Sequence, residues 1–144
     1  MKKIIICLMC LAVMCVALGS CNSKTENNNL WESAIYTDDA ELGNGNTTIK
    51  VKLTVEDKSI TFTVNTDKET LGEALVEHKL ISGEKGAYGM YVKKVNGIEA
   101  DYDKTKTYWG FGKNGESMLT GVDAEKISDG NNYEINYITE NTSK

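Results

Sequence analysis

The chain has 144 residues, of which 16 are lysine, none is arginine and 21 are acidic, so its formal net charge is −5. Such a chain lacks the clustered Lys and Arg side chains that nucleic-acid phosphates require, which excludes nucleic acid as the partner. The length suits one ordinary domain with a short appended segment.

The first 20 residues have the composition of an export signal. Lys2 and Lys3 precede an almost unbroken apolar run over residues 4–18. This run is shorter than the roughly 20 residues that a membrane-spanning helix needs. We therefore predict a cleaved signal peptide over residues 1–20. Its removal leaves 124 residues with 14 lysines and 21 acids, a net charge of −7.

The signal ends in Leu18-Gly19-Ser20-Cys21, which resembles the lipobox of bacterial lipoproteins. In a lipobox, small residues before the cysteine admit the signal peptidase, and the thiol receives a diacylglycerol. We predict that acylated Cys21 holds the protein on the extracytoplasmic side of the cell membrane, because several acyl chains bind a bilayer far more strongly than one. An ordinary signal with an incidental cysteine is the alternative. The other cysteines lie inside the signal, so neither an intramolecular disulfide nor a thiolate metal site is expected.

Residues 21–48 are rich in Asn, Ser, Thr, Gly and acids, which predicts a flexible tether that reaches on the order of 30 Å from the membrane. A patch of large apolar residues interrupts this composition. Two interpretations remain open, since the patch could dock on the domain as a short strand or consist of loose aromatics. Its members are Leu30, Trp31, Ile35 and Tyr36.

From residue 49 the pattern becomes regular. Apolar and polar residues alternate over residues 49–55 and again over 60–65, which predicts a β-hairpin with one buried and one wet face. The spacing of Thr66 and Glu69 then suits a capping box. It predicts a three-turn amphipathic helix that ends before Gly83. The helix face packed on the hairpin comprises Leu71, Ala74, Leu75 and His78.

The second half of the chain returns to strands. Turn signals at Asn96-Gly97, Asn114-Gly115 and Asp129-Gly130 separate them, because these residues accept positive φ. We predict strands over residues 90–95, 108–112, 116–119 and 132–139. The order of hairpin, helix and further strands predicts an α+β fold over residues 49–140. It is β-grasp-like, with one helix packed on a mixed sheet of four to six strands.

Four blocks of this region resemble the transcobalamin C-terminal-like domain family, whose bacterial surface members are similar to the β-domain of the vitamin B12 carriers transcobalamin and intrinsic factor. The resemblance covers residues 49–139 and implies the same fold. The blocks are Thr70-Leu71-Gly72-Glu73-Ala74-Leu75, Tyr91-Val92-Lys93-Lys94-Val95-Asn96-Gly97-Ile98, Tyr108-Trp109-Gly110-Phe111, and Thr120-Gly121-Val122-Asp123 with Ile127-Ser128-Asp129-Gly130.

The resemblance also implies a ligand-binding strand. In the B12 carriers the ligand lies between an α-helical domain and this β-domain, and a strand with an aromatic–Trp pair faces the corrin. The corresponding residues here are Tyr108, Trp109, Gly110 and Phe111. Together with the neighbouring Tyr91 and Tyr102 they form the predicted ligand-binding surface, with Trp109 as its anchor. The carriers tend to have larger side chains after the tryptophan, and this chain has no α-helical domain, so we expect weaker binding than in a two-domain carrier.

The aromatic residues also have a purely structural interpretation, in which alternate members face the core. Tyr108 and Trp109 are adjacent, so on a regular strand they point to opposite sides and at least one large aromatic side chain lies outside. The other candidate sites are weaker. His78 is the sole histidine and is expected at the edge of the core. The acidic loop of Glu99, Asp101 and Asp103 is expected to be a solvated turn because it lacks EF-hand spacing.

No sequence pattern of a nucleophile with a base, or of a phosphate-binding loop, is present, so we expect no enzyme activity, no metal and no required cofactor. Two functions remain open. The first is a membrane-anchored module that binds a small ligand, with cobalamin or a related corrinoid as the candidate. The second is an adhesion or assembly module that docks a surface protein or a glycan.

Overall fold

The structure, a computed structural model, describes residues 29–141 of the chain. Cys21 and the predicted signal peptide lie outside the described residues. The elements in the described part are a 3-10 helix (Leu30–Ser33), strands β1 (Ala40–Gly43), β2 (Thr47–Val55), β3 (Lys58–Thr66), β4 (Ile81–Gly86), β5 (Gly89–Val95), β6 (Ile98–Glu99), β7 (Thr107–Lys113), β8 (Glu116–Ser117) and β9 (Asn132–Thr139), and helices α1 (Leu71–Glu77) and α2 (Tyr102–Thr105).

The strands form two sheets, one of six strands in the order β1-β3-β2-β9-β7-β8 and one of three in the order β4-β5-β6. The larger sheet is mixed, because β1 runs parallel to β3 and β2 runs parallel to β9 while its other pairs are antiparallel. The prediction of an α+β fold, with one packed helix and a mixed sheet of four to six strands, is therefore confirmed, and the larger sheet has six. The smaller sheet was not predicted, because β4 has one buried residue followed by five exposed ones and so shows no alternation.

One hydrophobic core lies between the larger sheet on one side and α1 with the smaller sheet on the other. The alternating apolar residues of β2 and β3 are buried on the same face, as the sequence predicted. Leu71, Leu75 and Val95 pack against them from the opposite layer. The outer face of the larger sheet is polar along β2 and β3. One face of the larger sheet is therefore covered by the core. A side chain of β7 or β9 can reach a ligand only on the outer face or where the edge of the core is open.

The helix α1 begins later and is shorter than predicted. Thr70 is the N-cap, and its hydroxyl accepts a hydrogen bond from the backbone N–H of Glu73, whose carboxylate accepts one from the Thr70 N–H in return. The predicted capping box at Thr66 is wrong, because Thr66 ends β3 and its buried hydroxyl donates to Glu77. The seven-residue helix makes two turns and ends at His78.

Gly83 does not stop the helix but lies at an irregularity in the pairing of β4 with β5. A Cβ atom there would collide with the backbone carbonyl of Tyr91. This glycine is therefore explained by the close approach of two strands.

From Leu30 onward, the segment predicted as a tether is folded against the domain. Leu30, Trp31 and Tyr36 are partly buried against the core, and the rings of Tyr36 and Phe62 meet edge to face with centroids 5.6 Å apart. The docked interpretation of this patch is thus the better one, although the chain forms a 3-10 helix there and Ile35 points to solvent. In the part of the chain that the structure describes, no helix has the length and apolar character needed to cross a bilayer.

Candidate ligand-binding site

The strand β7 separates the predicted site residues onto two faces of the larger sheet. Trp109 and Phe111 point toward the core layer, whereas Tyr108 and Gly110 point to the outer face. Tyr91, on β5, lies with the first pair. The prediction that these residues form one ligand-binding surface is therefore wrong. Successive side chains of a strand point to opposite faces of the sheet, so β7 divides the predicted residues between two faces.

On the core side, Tyr91, Trp109 and Phe111 meet at a recess with a volume of about 150 Å³. We call it the Tyr91 recess. Apolar side chains supply most of its walls, and Tyr91 itself is 46 % exposed at its mouth. The lining residues are Met90, Tyr91, Val92, Trp109, Phe111, Thr120, Gly121 and Val122. Three of the six predicted ligand-binding residues are thus brought together here, by strands from both sheets.

Two large apolar side chains are exposed on the loops that hold this recess. Tyr88, at the tip of the β4–β5 hairpin, is 97 % exposed, and Leu119, in the loop after β8, is 100 % exposed. The two loops are adjacent, because a Cβ atom on Gly121 would lie 3.3 Å from the carbonyl oxygen of Tyr88. Neither residue belongs to the ligand-binding surface predicted from the sequence, since a single apolar residue within a turn gives no periodic signal.

Hydrogen bonds from one loop hold the two walls of the recess together. The Asp123 carboxylate accepts a hydrogen bond of 2.7 Å from the backbone N–H of Met90, on the opposite wall. The carbonyl of the neighbouring Val122 accepts one of 2.9 Å from the N–H of Gly72 at the start of α1. The loop is thus fixed to the hairpin and to the helix at once, which preorganises the recess.

A partly buried carboxylate fixes the same loop to the larger sheet. Glu125 accepts hydrogen bonds from Lys113 at 2.6 Å, Tyr133 at 3.1 Å and Thr120 at 3.1 Å. The hydrogen bond from Lys113 is the main reason that the pKa of Glu125 is lowered. Burial, and then the Glu125 charge, raise the pKa of Tyr133 above its usual value.

Trp109 is a core residue and not the exposed anchor that was predicted. It is 7 % exposed, its indole N–H donates a 3.2 Å hydrogen bond to the carbonyl of Lys93, and its ring packs edge to face on Tyr137 at 5.1 Å between centroids. The indole therefore joins the two sheets, and only part of it reaches the recess. The face of the ring is not available to stack a flat ligand.

The other predicted residues lie on or beside the outer face. Tyr102 and Tyr108 are 39 % and 37 % exposed, and their ring centroids are 6.4 Å apart. The hydroxyl of Tyr102 donates to Glu140, an interaction that raises the pKa of Tyr102. The ammonium group of Lys106 lies 4.7 Å from the centroid of the same ring.

The weaker candidates take structural positions. His78 is the C-cap of α1, with a side chain 3.7 Å from the Glu77 carboxylate. Asp101 caps α2, and its pKa is lowered chiefly because it accepts a hydrogen bond from the backbone N–H of Lys104. Within residues 29–141, His, Cys, Asp and Glu side chains form no group of three or more that could hold a metal ion.

Residues 68–139 match a known sequence family, described as Domain of unknown function (DUF4430). The chain belongs to this family. The DUF4430 region includes α1, both walls of the Tyr91 recess and the outer face of β7, whereas the β2–β3 hairpin precedes it.

Two solved structures share the fold. A candidate metal-binding protein from Ruminococcus gnavus is 32 % identical, with a TM-score of 0.62 over 65 % of this chain and 98 % of its own. Haptocorrin in complex with Cbi is 19 % identical, with a TM-score of 0.52 over 67 % of this chain. The chain corresponds to 26 % of haptocorrin's length. No curated protein sequence matches the chain.

Proposed function

We propose that this DUF4430 protein is a lipid-anchored, extracytoplasmic module that binds a small ligand at the Tyr91 recess without transforming it. The observation that carries the proposal is the apolar Tyr91 recess together with three exposed residues that we call its rim. Tyr91 lies at the mouth of the recess, and Tyr88 and Leu119 are almost fully exposed on the two adjacent loops. Covering each of them would contribute about 1.5 to 3 kcal/mol. Exposed apolar groups arranged in this way are typical of a binding surface.

The size of the recess limits what it can hold. Its volume of about 150 Å³ is below the roughly 300 to 1,000 Å³ typical of sites that enclose a drug-sized ligand. The recess would therefore receive one edge or substituent of a larger ligand, while Tyr88, Tyr91 and Leu119 cover part of its face. A second surface would have to cover the opposite side.

A corrinoid, either cobalamin or a related molecule, is the ligand that we propose. A corrinoid offers a broad, partly apolar face of the kind that this rim would cover. The sequence resemblance to the B12 carriers and the fold shared with haptocorrin support the choice. The chain corresponds to about a quarter of haptocorrin, so it would supply one side of the enclosure and bind weakly alone.

The chemistry of the lining favours binding over catalysis. The residues that line the Tyr91 recess include no Ser, Cys, His, Asp or Glu. Thr120 and Tyr91 supply hydroxyl groups. Thr120 donates to the Glu125 carboxylate, but Glu125 also accepts from Lys113 and Tyr133 and its pKa is lowered, which makes it a poor base for activating a nucleophile. The export signal and the lipobox at Cys21 support the extracytoplasmic, membrane-anchored location.

Equilibrium dialysis of the full-length protein in detergent against cobalamin, cobinamide and haem tests the proposal. We expect retention of a corrinoid, and roughly tenfold weaker retention by Tyr91→Ala or Leu119→Ser, since each removes contact area. Tyr102→Ala is the matched control, because Tyr102 has similar exposure on the other face. No corrinoid retention, or equal retention by the wild type and Tyr91→Ala, would reject the proposal.

The second candidate function is docking of a surface protein through the same rim. The small recess and the two exposed side chains on adjacent loops are also the arrangement of a protein-interface hot spot. A photocrosslinker at position 119 in cells would then give a protein adduct that Tyr88→Ser abolishes, together with no corrinoid retention in dialysis.

A further inference from the structure

The outer face of β7 and β9 carries a second recess, separate from the proposed ligand site and on the opposite side of the sheet. The antiparallel register places three cross-strand pairs side by side on this face, and they change from apolar at one end to polar at the other. The pairs are Tyr108 with Ile138, Gly110 with Asn136, and Gly112 with Glu134.

The two glycines form the floor of a trough with a volume of about 230 Å³, which we call the glycine trough. A Cβ atom on Gly112 would lie 2.8 Å from the Glu134 carboxylate, and one on Gly110 would meet the Ile138 side chain. Any larger residue at these positions would therefore fill the trough or displace its walls. Ser117 and Glu116, on β8, close one end.

Glu134 has an unused acceptor in this trough. One carboxylate oxygen accepts a 3.1 Å hydrogen bond from the backbone N–H of Gly115. The other, Oε2, is buried, and no donor in the described part of the chain reaches it. A buried acceptor left without a donor destabilises the folded protein, and more strongly when the acceptor is charged. Oε2 lies against Gly112 and is closed to solvent, so a ligand hydroxyl or N–H group would satisfy it once the Glu134 side chain turns toward the trough.

The remaining walls of the trough indicate the class of ligand. Asn136 can both donate and accept hydrogen bonds, while Ile138 offers apolar surface at the other end of the trough. Tyr108 is the cross-strand partner of Ile138 and extends the apolar surface beyond the trough lining. A sugar ring has this combination, with hydroxyl groups at its edge and C–H groups on its face, and aromatic side chains such as Tyr108 pack on that face.

Two features argue against a peptide in the trough. At the polar end of the trough, β7 pairs with β8 at Gly112 and Lys113 and β9 pairs with β2 over residues 132–136, so no free strand edge is available there for an added peptide strand. Lys52 is the register partner of Glu134 on β2, and its positive charge disfavours a cationic side chain beside the carboxylate. A neutral polyhydroxyl ligand fits this charge balance better.

We propose that the glycine trough binds a single sugar ring of a glycan, with Glu134 and Asn136 as the polar contacts and Tyr108 with Ile138 as the apolar wall. The volume of about 230 Å³ is below the roughly 300 Å³ lower limit for drug-sized ligands, which fits one ring and not an enclosed oligosaccharide. The site is independent of the Tyr91 recess.

Saturation-transfer NMR tests this site on the full-length protein in a zwitterionic, sugar-free detergent. The probes are the methyl glycosides of glucose, galactose, mannose and N-acetylglucosamine. We expect signal transfer to at least one of them, and roughly tenfold weaker binding by Glu134→Gln, which weakens the charged acceptor while keeping its shape. Tyr108→Ala should weaken the same probe.

Tyr91→Ala is the control and should bind the sugar as the wild type does, while Glu134→Gln should leave corrinoid retention unchanged. The proposal for each site can therefore be rejected independently of the other. No transfer to any glycoside would overturn the sugar site, and so would wild-type binding by both Glu134→Gln and Tyr108→Ala. Binding of a lysine-rich peptide in place of every glycoside, with dependence on Glu134, would overturn it in favour of a cationic ligand.

Discussion

Asn96 holds the N-terminal segment on the domain through its side chain, which pairs with the backbone of Tyr36. The amide Nδ2 donates to the Tyr36 carbonyl at 2.8 Å, and Oδ1 accepts from the Tyr36 N–H at 2.9 Å. Asn96 is fully buried, although it stands in a β-turn with φ of 51°. Its side chain thus satisfies two backbone groups that would otherwise lie at the edge of the core without partners.

Replacing this side chain should cost much more than its place in a turn suggests. Asn96→Gly keeps the positive φ but removes both hydrogen bonds, so we expect the free energy of unfolding to fall by about 2 to 4 kcal/mol in urea denaturation. Asn114→Gly is the control, because Asn114 has φ of 54° in an equivalent Asn-Gly turn but is exposed. It should change stability by less than about 0.5 kcal/mol. Equal losses would show that the turn conformation matters and the pairing does not.

The contribution of α1 packing to stability can be measured by comparing a substitution in the core with one on the outer face of the sheet. Leu75 is fully buried in the core, whereas Thr54 is on the outer face of β2. Leu75→Ala should lower the free energy of unfolding by about 2 to 5 kcal/mol, because it leaves a cavity. Thr54→Ala should cost well under about 1 kcal/mol. A small cost for Leu75→Ala would contradict the placement of α1.

Substitutions of Trp109 and Tyr108 should also differ in their effect on stability, although the two residues are adjacent in the chain. Trp109→Ala removes a ring that joins the two sheets, and we expect a loss of about 3 to 5 kcal/mol in the free energy of unfolding. Tyr108→Ala should cost about 1 kcal/mol or less, because Tyr108 is more than a third exposed. If Trp109→Ala retained full stability, the indole would not be the bridge between the sheets.

The Lys113–Glu125 pair should make stability depend on pH in a defined direction. The pKa of Glu125 is lowered in the folded protein, so its carboxylate stabilises the fold above the unfolded-state pKa, and this contribution is lost as pH falls through the folded pKa. Glu125→Gln should therefore reduce the free energy of unfolding by about 1 to 3 kcal/mol at neutral pH and by much less once the pH has fallen below the folded-state pKa of Glu125.

Glu84→Gln provides the control for this pH experiment. Glu84 forms an ion pair of 3.0 Å with Lys93, but its side chain is largely exposed. We expect this variant to change stability by less than about 1 kcal/mol at either pH. A loss in Glu125→Gln that is as large in acid as at neutral pH would assign the effect to packing and not to charge.

The lipobox predicts the chemical state of the mature N-terminus. Mass spectrometry of the protein from membranes should find Cys21 as the first residue, carrying acyl chains. Cys21→Ala should leave the precursor unprocessed or release the protein from the membrane. An unmodified N-terminus downstream of Cys21 would contradict the anchor.

Local rules of the chain determined a large part of this fold. The alternation over residues 49–55 and 60–65 predicted which face of β2 and β3 is buried, because side chains on a strand repeat every two residues. Asn96-Gly97 and Asn114-Gly115 predicted two turns, since these residues tolerate the positive φ that the structure gives them. The opposite orientation of Tyr108 and Trp109 followed from the same period of two.

The tertiary structure decided between the alternatives that local sequence patterns left open. Alternation separates Tyr108 from Trp109 but does not state which one is buried, and the packing of β5 across the core chose Trp109. Thr66 and Thr70 both have the spacing of a capping box, and Thr70 caps the helix because Thr66 is still part of β3. Asn96 reads as a turn residue, yet its burial depends on Tyr36, 60 residues away. Contacts of this kind form only when distant segments meet, so short-range periodicity and turn propensity do not encode them.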